Sequence, residues 1–337
     1  MGETRISVRS LGKVFPDGTR ALQDVGFDIA AGETFGCLGR NGAGKTTLVN
    51  LLTTLDTPTE GTASICGHDV VARREEVRSR IGASLQQVAL DELMTGREHL
   101  EFVGRLAGLG AAAVRAKADE LVRLFGLEAA VDKMVAVCSG GTRRRLDLAL
   151  ALLRDPEVLF LDEPTTGLDP QNRRALWEWV RSFAAEGGTV LLTTQYLEEA
   201  DELADRVAVL DSGRIAVLDT PSALKAQAGG KQVQVRPVDG LERSCVLGEF
   251  GTRAALDPGG DVIVDAAREG ELLSVLGRLA ALGVPQTALA VVEPTLEDVF
   301  VRLTGASASA ESDNSTASGL AAIGRSLAGG TGRNERP

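Results

Sequence analysis

Gly39-Arg40-Asn41-Gly42-Ala43-Gly44-Lys45-Thr46 is the stretch on which the fold turns. It fits G-x-x-x-x-G-K-[ST], and its context is the one that gives the pattern meaning. Before it, Thr34 to Leu38 reads as a buried strand; after it, Thr46 to Leu55 reads as an amphipathic helix. In that order a glycine turn lets backbone N–H groups curl around phosphate oxygens at the positive end of a helix. Lys45 would then reach the β- and γ-phosphate oxygens, Thr46 would offer a hydroxyl to Mg2+, and Thr47 would continue the phosphate-facing turn.

The partner for such a loop stands at Val158-Leu159-Phe160-Leu161-Asp162-Glu163. Four apolar residues bury a strand and deliver two carboxylates at its end. Asp162 suits Mg2+ and Glu163 suits polarising an attacking water, the two tasks that phosphoryl transfer requires. Helix capping is the other use of such a pair. Between the two motifs, Ser139-Gly140-Gly141 opens a helix, a second arrangement of hydroxyl and exposed N–H groups suited to an anion.

Cys138-Ser139-Gly140-Gly141-Thr142-Arg143-Arg144-Arg145-Leu146 resembles the signature motif of ATP-binding-cassette (ABC) ATPases, and with the other two motifs the resemblance covers about residues 5 to 225. It implies an α/β fold, a P-loop NTPase nucleotide-binding domain with a RecA-like core and a helical subdomain. Further positions follow one by one. Phe15 stands where the family stacks an aromatic on adenine; an ordinary core Phe is the alternative. Gln86 resembles the glutamine that approaches Mg2+ and the attacking water. Asp169, in Gly167-Leu168-Asp169, resembles the residue through which two copies communicate. Two departures stand out: Cys138 and Thr142 replace the usual signature residues, and Gln195 stands where most members carry a histidine that bonds the γ-phosphate. Glutamine keeps an amide donor but cannot become cationic.

The resemblance also implies ATP with Mg2+, and a pair of copies in which the signature of one caps the nucleotide on the P-loop of the other. It implies a separate polytopic membrane permease subunit as well, in two copies, contacted near Gln87 to Leu100. Thr193-Thr194-Gln195-Tyr196-Leu197-Glu198-Glu199 and Val292-Glu293-Pro294-Thr295-Leu296-Glu297-Asp298 narrow the likeness to the daunorubicin/doxorubicin-resistance exporter subfamily. The implied function is the ATPase subunit of a drug or secondary-metabolite exporter. A lipid or polysaccharide exporter is the alternative. A soluble regulator acting on ribosomes or nucleic acid is disfavoured, since such proteins usually join two cassettes and carry basic surfaces.

Composition sets the outer bounds. Asp and Glu total 47 against 36 Lys and Arg, a net charge of −11, so bulk charge makes no case for nucleic-acid binding. The 44% apolar and 25% charged residues are those of an ordinary globular chain. No apolar run approaches the roughly 20 residues that cross a bilayer. The first residues lack a secretory apolar core, which predicts a cytosolic chain, peripheral on the cytoplasmic side of a membrane given the implied permease. Four widely spaced cysteines predict reduced thiols. Three segments are expected: 1–225 as the ATP-binding domain, 226–305 as an accessory α+β domain behind a flexible linker at 226–230, and 306–337 as a disordered tail. In the accessory part, strands are expected at 232–236, 261–265 and 287–292, with helices at 269–282 and 296–303. Thr295 would cap the last helix. Trp177 and Trp179, two apart on a helix, cannot share a face. Either one is core and the other exposed, or both pack locally.

Overall fold

The computed structural model describes residues 3–86, 90–228, 231–236, 240–257, 259–266 and 271–304. The chain divides after Leu224 into two compact units. In the first, the strands are β1 (Thr4–Val14), β2 (Arg20–Ala30), β3 (Thr34–Leu38), β4 (Glu60–Ile65), β5 (His68–Asp69), β6 (Ile81–Ser84), β7 (Val158–Asp162), β8 (Thr189–Thr194), β9 (Arg206–Asp211) and β10 (Arg214–Asp219). Its helices are α1 (Lys45–Leu52), α2 (Arg74–Arg78), α3 (Gly96–Leu106), α4 (Ala111–Leu124), α5 (Gly140–Ala151), α6 (Pro170–Ala185) and α7 (Leu197–Leu203); α8 (Pro221–Ala228) runs across the division.

Two sheets form this unit. One is antiparallel, in the order β2-β1-β4-β5; the other runs β10-β9-β3-β8-β7-β6 and is parallel except for β10 at its edge. Every residue of β3, β7 and β8 is buried, as expected of strands covered on both faces. Side chains of β7 alternate between two cores. Val158 and Phe160 join the core that includes α1 and the antiparallel sheet, whereas Leu159 and Leu161 join the core built with α4, α5 and α6. Phe27 and Phe35 stack at 4.8 Å in the first of these, a contact worth about 1 kcal/mol beyond its buried area. Thr95 and Glu98 form a capping box that fixes the start of α3.

The second unit contains β11 (Lys231–Val235), α9 (Gly240–Phe250), β12 (Ala254–Leu256), β13 (Val262–Ala266), α10 (Glu271–Ala281), β14 (Leu289–Val292) and α11 (Leu296–Thr304). Its sheet is antiparallel in the order β12-β13-β11-β14, the split βαβ arrangement. Val233, Val235, Val262 and Val264 point into one core with Val246, Val275 and Leu279. Thr295 caps α11: its hydroxyl accepts from the Asp298 N–H at 3.3 Å while Asp298 returns a bond to the Thr295 N–H at 2.8 Å.

Several local expectations change. The linker expected at 226–230 is helix as far as Ala228, because Ala226, Gln227 and Ala228 are sound helix formers despite their small size. The helix expected to reach Leu55 ends at Leu52. Helix α9 and the three-residue strand β12 are two elements with no counterpart among the sequence expectations. Trp177 is buried and Trp179 half-buried, the latter 5.3 Å from Phe125 and 5.6 Å from Phe183, so both indoles pack locally. The tail expected at 306–337 lies outside the described residues, as do 87–89 of the expected permease contact.

Candidate active site

The loop between β3 and α1 is built around backbone that only glycine takes easily. Gly44 has φ +109°, and a Cβ there would stand 2.6 Å from the Ala21 carbonyl oxygen. Arg40, Asn41 and Gly42 are exposed at the turn, while Gly39 and Ala43 are buried beneath it. At its N-terminus α1 has neither a side-chain cap nor an acidic residue in its first turn. Its first N–H groups thus keep their donor capacity and partial positive charge for an anion. Lys45 is buried, and its Nζ donates to the Gly39 carbonyl at 2.7 Å and that of Arg40 at 3.2 Å.

Three further elements converge here. Glu163, buried at the end of β7, brings Oε1 to 3.7 Å from Lys45 Nζ. Gln86, exposed just beyond β6, donates from Nε2 to Glu163 Oε2 at 3.5 Å. Asp162 accepts from the Thr46 hydroxyl at 3.1 Å and from the Thr193 hydroxyl of β8. Glu163 itself sits at φ +49°, a left-handed conformation uncommon outside glycine. Strand β8 hands on to Gln195, which is exposed. Just behind it Glu199 is buried, and burial pushes its carboxyl above the ordinary range against the pull of the Thr194 and Trp177 donors. Trp177 Nε1 lies 3.4 Å from Glu199 Oε1, tying α6 to α7.

Phe15 is half-buried in the turn after β1 and outside the buried cores, with Lys13 Nζ 5.3 Å from its ring centre. Ser139 caps α5, accepting from the Thr142 N–H at 3.2 Å, and the two hydroxyls lie 2.9 Å apart, so the unusual Thr142 holds the Ser139 hydroxyl. Gly140 and Gly141 form the first turn of α5. Asp169 caps α6, accepting from the N–H groups of Gln171 and Asn172 at 3.0 Å; these bonds, that of Asn172 first, lower its pKa. Cys37 lies under the loop on β3, and burial pushes its thiol up to about 12, so it packs as an inert apolar group. All four cysteines are unpaired.

One residue with an evident place here was missed in the sequence. Of three successive arginines, Arg143 turns back to the Cys138 and Ala136 carbonyls and Arg145 reaches the carbonyls of Phe125 and Gly126. Arg144 alone is buried, bonded to the carbonyls of Leu85, Asp162 and Pro164. Its spacing to Leu148, four residues on and also buried, was the available signal.

A nucleotide is what this geometry fits: a helix end open to phosphate, a buried lysine, and a hydroxyl–carboxylate pair beside a second carboxylate. Residues 22–166 match the family model described as ABC transporter. The chain is 46% identical over 315 residues to the daunorubicin resistance ATP-binding protein DrrA3 of Streptomyces coeruleorubidus, covering 90% of this chain and 97% of that one. It is 40% identical to the Nod factor export ATP-binding protein I of Sinorhizobium fredii, over 90% of this chain and 87% of the other. Among solved structures, the ATP-binding subunit of an ABC transporter superposes with a TM-score of 0.61 at 30% identity, covering 66% of this chain and 92% of that chain. A dimeric ATP-binding cassette in a post-hydrolysis state, bound to ADP and Pi, gives a TM-score of 0.60 at 25% identity, covering 64% and 98%. The chain therefore belongs to the ABC transporter family, as an ATP-binding, ATP-hydrolysing cassette.

Turnover should respond at Gln195. Gln195→Ala is expected to hydrolyse ATP about tenfold more slowly, the scale of one lost bond to a charged phosphate, and Gln195→His severalfold faster. Steady-state rates at saturating ATP decide it, and equal rates for all three proteins would remove Gln195 from the site.

Proposed function

We propose that this chain energises export of a drug or secondary metabolite, working as two copies closed face to face over ATP beneath a separate polytopic membrane subunit. The observation that carries the catalytic part is the convergence on Glu163 of Lys45 from the loop and Gln86 from the end of β6. Lys45 and the first N–H groups of α1 hold the phosphates. Glu163, desolvated at the end of β7, accepts a proton from water aimed by Gln86; the water oxygen bonds the γ-phosphorus as the bond to the β-phosphate oxygen breaks, giving ADP and phosphate. Thr46 and Asp162, hard oxygen donors 3.1 Å apart, fit Mg2+ together with Gln86, and that ion would neutralise charge developing on the phosphates.

Ser139, Gly140 and Gly141 present a capped helix end to the nucleotide of the second copy, with Asp169 beside that junction. Gln195 faces the γ-phosphate and Phe15 the base. The export assignment is supported by likeness to drug-resistance ATP-binding proteins over nearly the whole chain. A Nod factor export protein at 40% identity supports export of a cargo other than a drug; the second cargo class carried from the sequence is a lipid or polysaccharide. Among the described residues no helix is long and apolar enough to cross a membrane. In the function proposed, the chain sits peripherally on the cytoplasmic face because it meets a separate membrane subunit there.

Membranes co-expressing a tagged chain with an adjacent-encoded polytopic protein provide the test. The two are expected to co-purify in equal amounts, with ATPase activity raised severalfold by an anthracycline. A chain left wholly in the soluble fraction would overturn the transport assignment; co-purification without drug stimulation, but with stimulation by lipid or polysaccharide, would move the cargo to the second class.

A further inference from the structure

Helix α5 carries the Ser139 cap at one end and a buried arginine one turn further on. Its first turn is Gly140 and Gly141 behind the Ser139 cap, and one turn on Arg144 points inward. From there the guanidinium spans three separate backbone carbonyls. Nη1 donates to Leu85 O at 2.8 Å, Nε to Pro164 O at 3.0 Å and Nη2 to Asp162 O at 3.1 Å. Leu85 immediately precedes Gln86, and Asp162 and Pro164 flank Glu163 on either side. Asp147, one turn further along α5, completes the set with its carboxylate 3.3 Å from Nη1.

The chemistry suits arginine alone. A planar fork of five N–H donors can bond three carbonyls from the ends of two neighbouring segments, just past β6 and around the end of β7, at once, whereas an ammonium on a flexible stem cannot match their separation. The held segment is also one that needs holding. Glu163 stands at φ +49°, where a residue with a Cβ is strained, and such a conformation persists when its surroundings over-determine it.

We propose that Arg144 is the positioning residue that locks Glu163 in its left-handed conformation and ties it, with Gln86, to the helix ending in Ser139. Seating that helix end on the nucleotide of a second copy and aiming Glu163 within its own copy are then one rigid movement. Arg144 thus links the aim of Glu163 in one copy to the helix end that this copy would present to its partner's nucleotide. Dimeric closure is taken from the function proposed above; the bonds of Arg144 are not.

Arg144→Met, which keeps the length and apolar stem but removes every donor, separates the two functions in the full chain. Its kcat should fall at least tenfold while KM for ATP stays within threefold, and in the Glu163→Gln background ATP should still drive pairing at concentrations within threefold of the single variant. Arg144→Lys, restoring a charged donor group that cannot span all three carbonyls, should recover part of the lost kcat, and it carries the same measurements if Arg144→Met does not fold. A kcat within twofold of the parent would overturn the proposal. So would joint loss of kcat, ATP affinity and thermal stability in both variants, which marks a purely structural role, or loss of pairing with ATP affinity intact. Should the parent fail to hydrolyse ATP, or Glu163→Gln fail to pair, the proposed function is at fault and not the role of Arg144.

Discussion

Replacing Glu163 by Gln is expected to lower ATP turnover by at least a hundredfold while leaving ATP affinity within threefold of the parent. A positioned general base contributes about 10²–10⁴ in rate, or about 3–5 kcal/mol of barrier. Glutamine keeps the length of the side chain and an oxygen to accept from Gln86 Nε2, which lies 3.5 Å from Glu163 in the parent, so the local packing survives. What is lost is the basic oxygen proposed to accept the proton of water. Because Lys45 lies 3.7 Å from this carboxylate, removing the negative charge also leaves the ammonium freer to bind phosphate, and affinity should hold or rise. Single-turnover hydrolysis and equilibrium nucleotide binding measure the two effects separately. Near-normal hydrolysis would show that Glu163 is not the base.

Lys45→Ala should act on the other quantity. In place, the Lys45 ammonium lies buried along the loop, bonded to the Gly39 and Arg40 carbonyls. Two charge-assisted bonds to phosphate oxygens, at about 1.5–3 kcal/mol each, correspond to at least a hundredfold in Kd. The variant is therefore expected to show no measurable ATP binding at concentrations that saturate the parent. The same change strips Glu163 of a buried cationic neighbour, so thermal unfolding is measured alongside to confirm that the fold is kept. Binding within threefold of the parent in a folded Lys45→Ala chain would contradict the assignment of the phosphate site.

Much of the fold and site was legible in the sequence because its strongest signals are local. Runs such as Val158 to Leu161 and Val190 to Leu192 can be continuous in apolar residues only where a strand is covered on both faces, and both proved fully buried. The glycines at 39 and 44 are dictated by close backbone approach and a left-handed φ, which no neighbouring residue can supply. Less legible were features that depend on partners far along the chain. The antiparallel pair β1 and β2 carries register shifts that blur its alternation, and β12 is too short to show a period. The glycines at both ends of the 240–248 stretch weakened the signal for α9.

Arg144 makes the same point within the site. Three consecutive arginines look alike in sequence, and a basic run is ordinarily read as a solvated face. Only the placement of α5 against the ends of β6 and β7 shows that the middle one is aimed at Leu85, Asp162 and Pro164. Gln195 lies at the opposite extreme: its identity is plain in the sequence, while its consequence rests on a γ-phosphate that only turnover can report.

In the function proposed, two copies of this chain close over ATP and open once Glu163 has driven hydrolysis. Light scattering of Glu163→Gln, with ATP and Mg2+ against ADP and Mg2+, tests it most directly. A species of twice the chain mass with ATP, holding one ATP per chain and returning to the single-chain mass with ADP, is the predicted result. A single-chain mass at saturating ATP, with nucleotide bound, would contradict it.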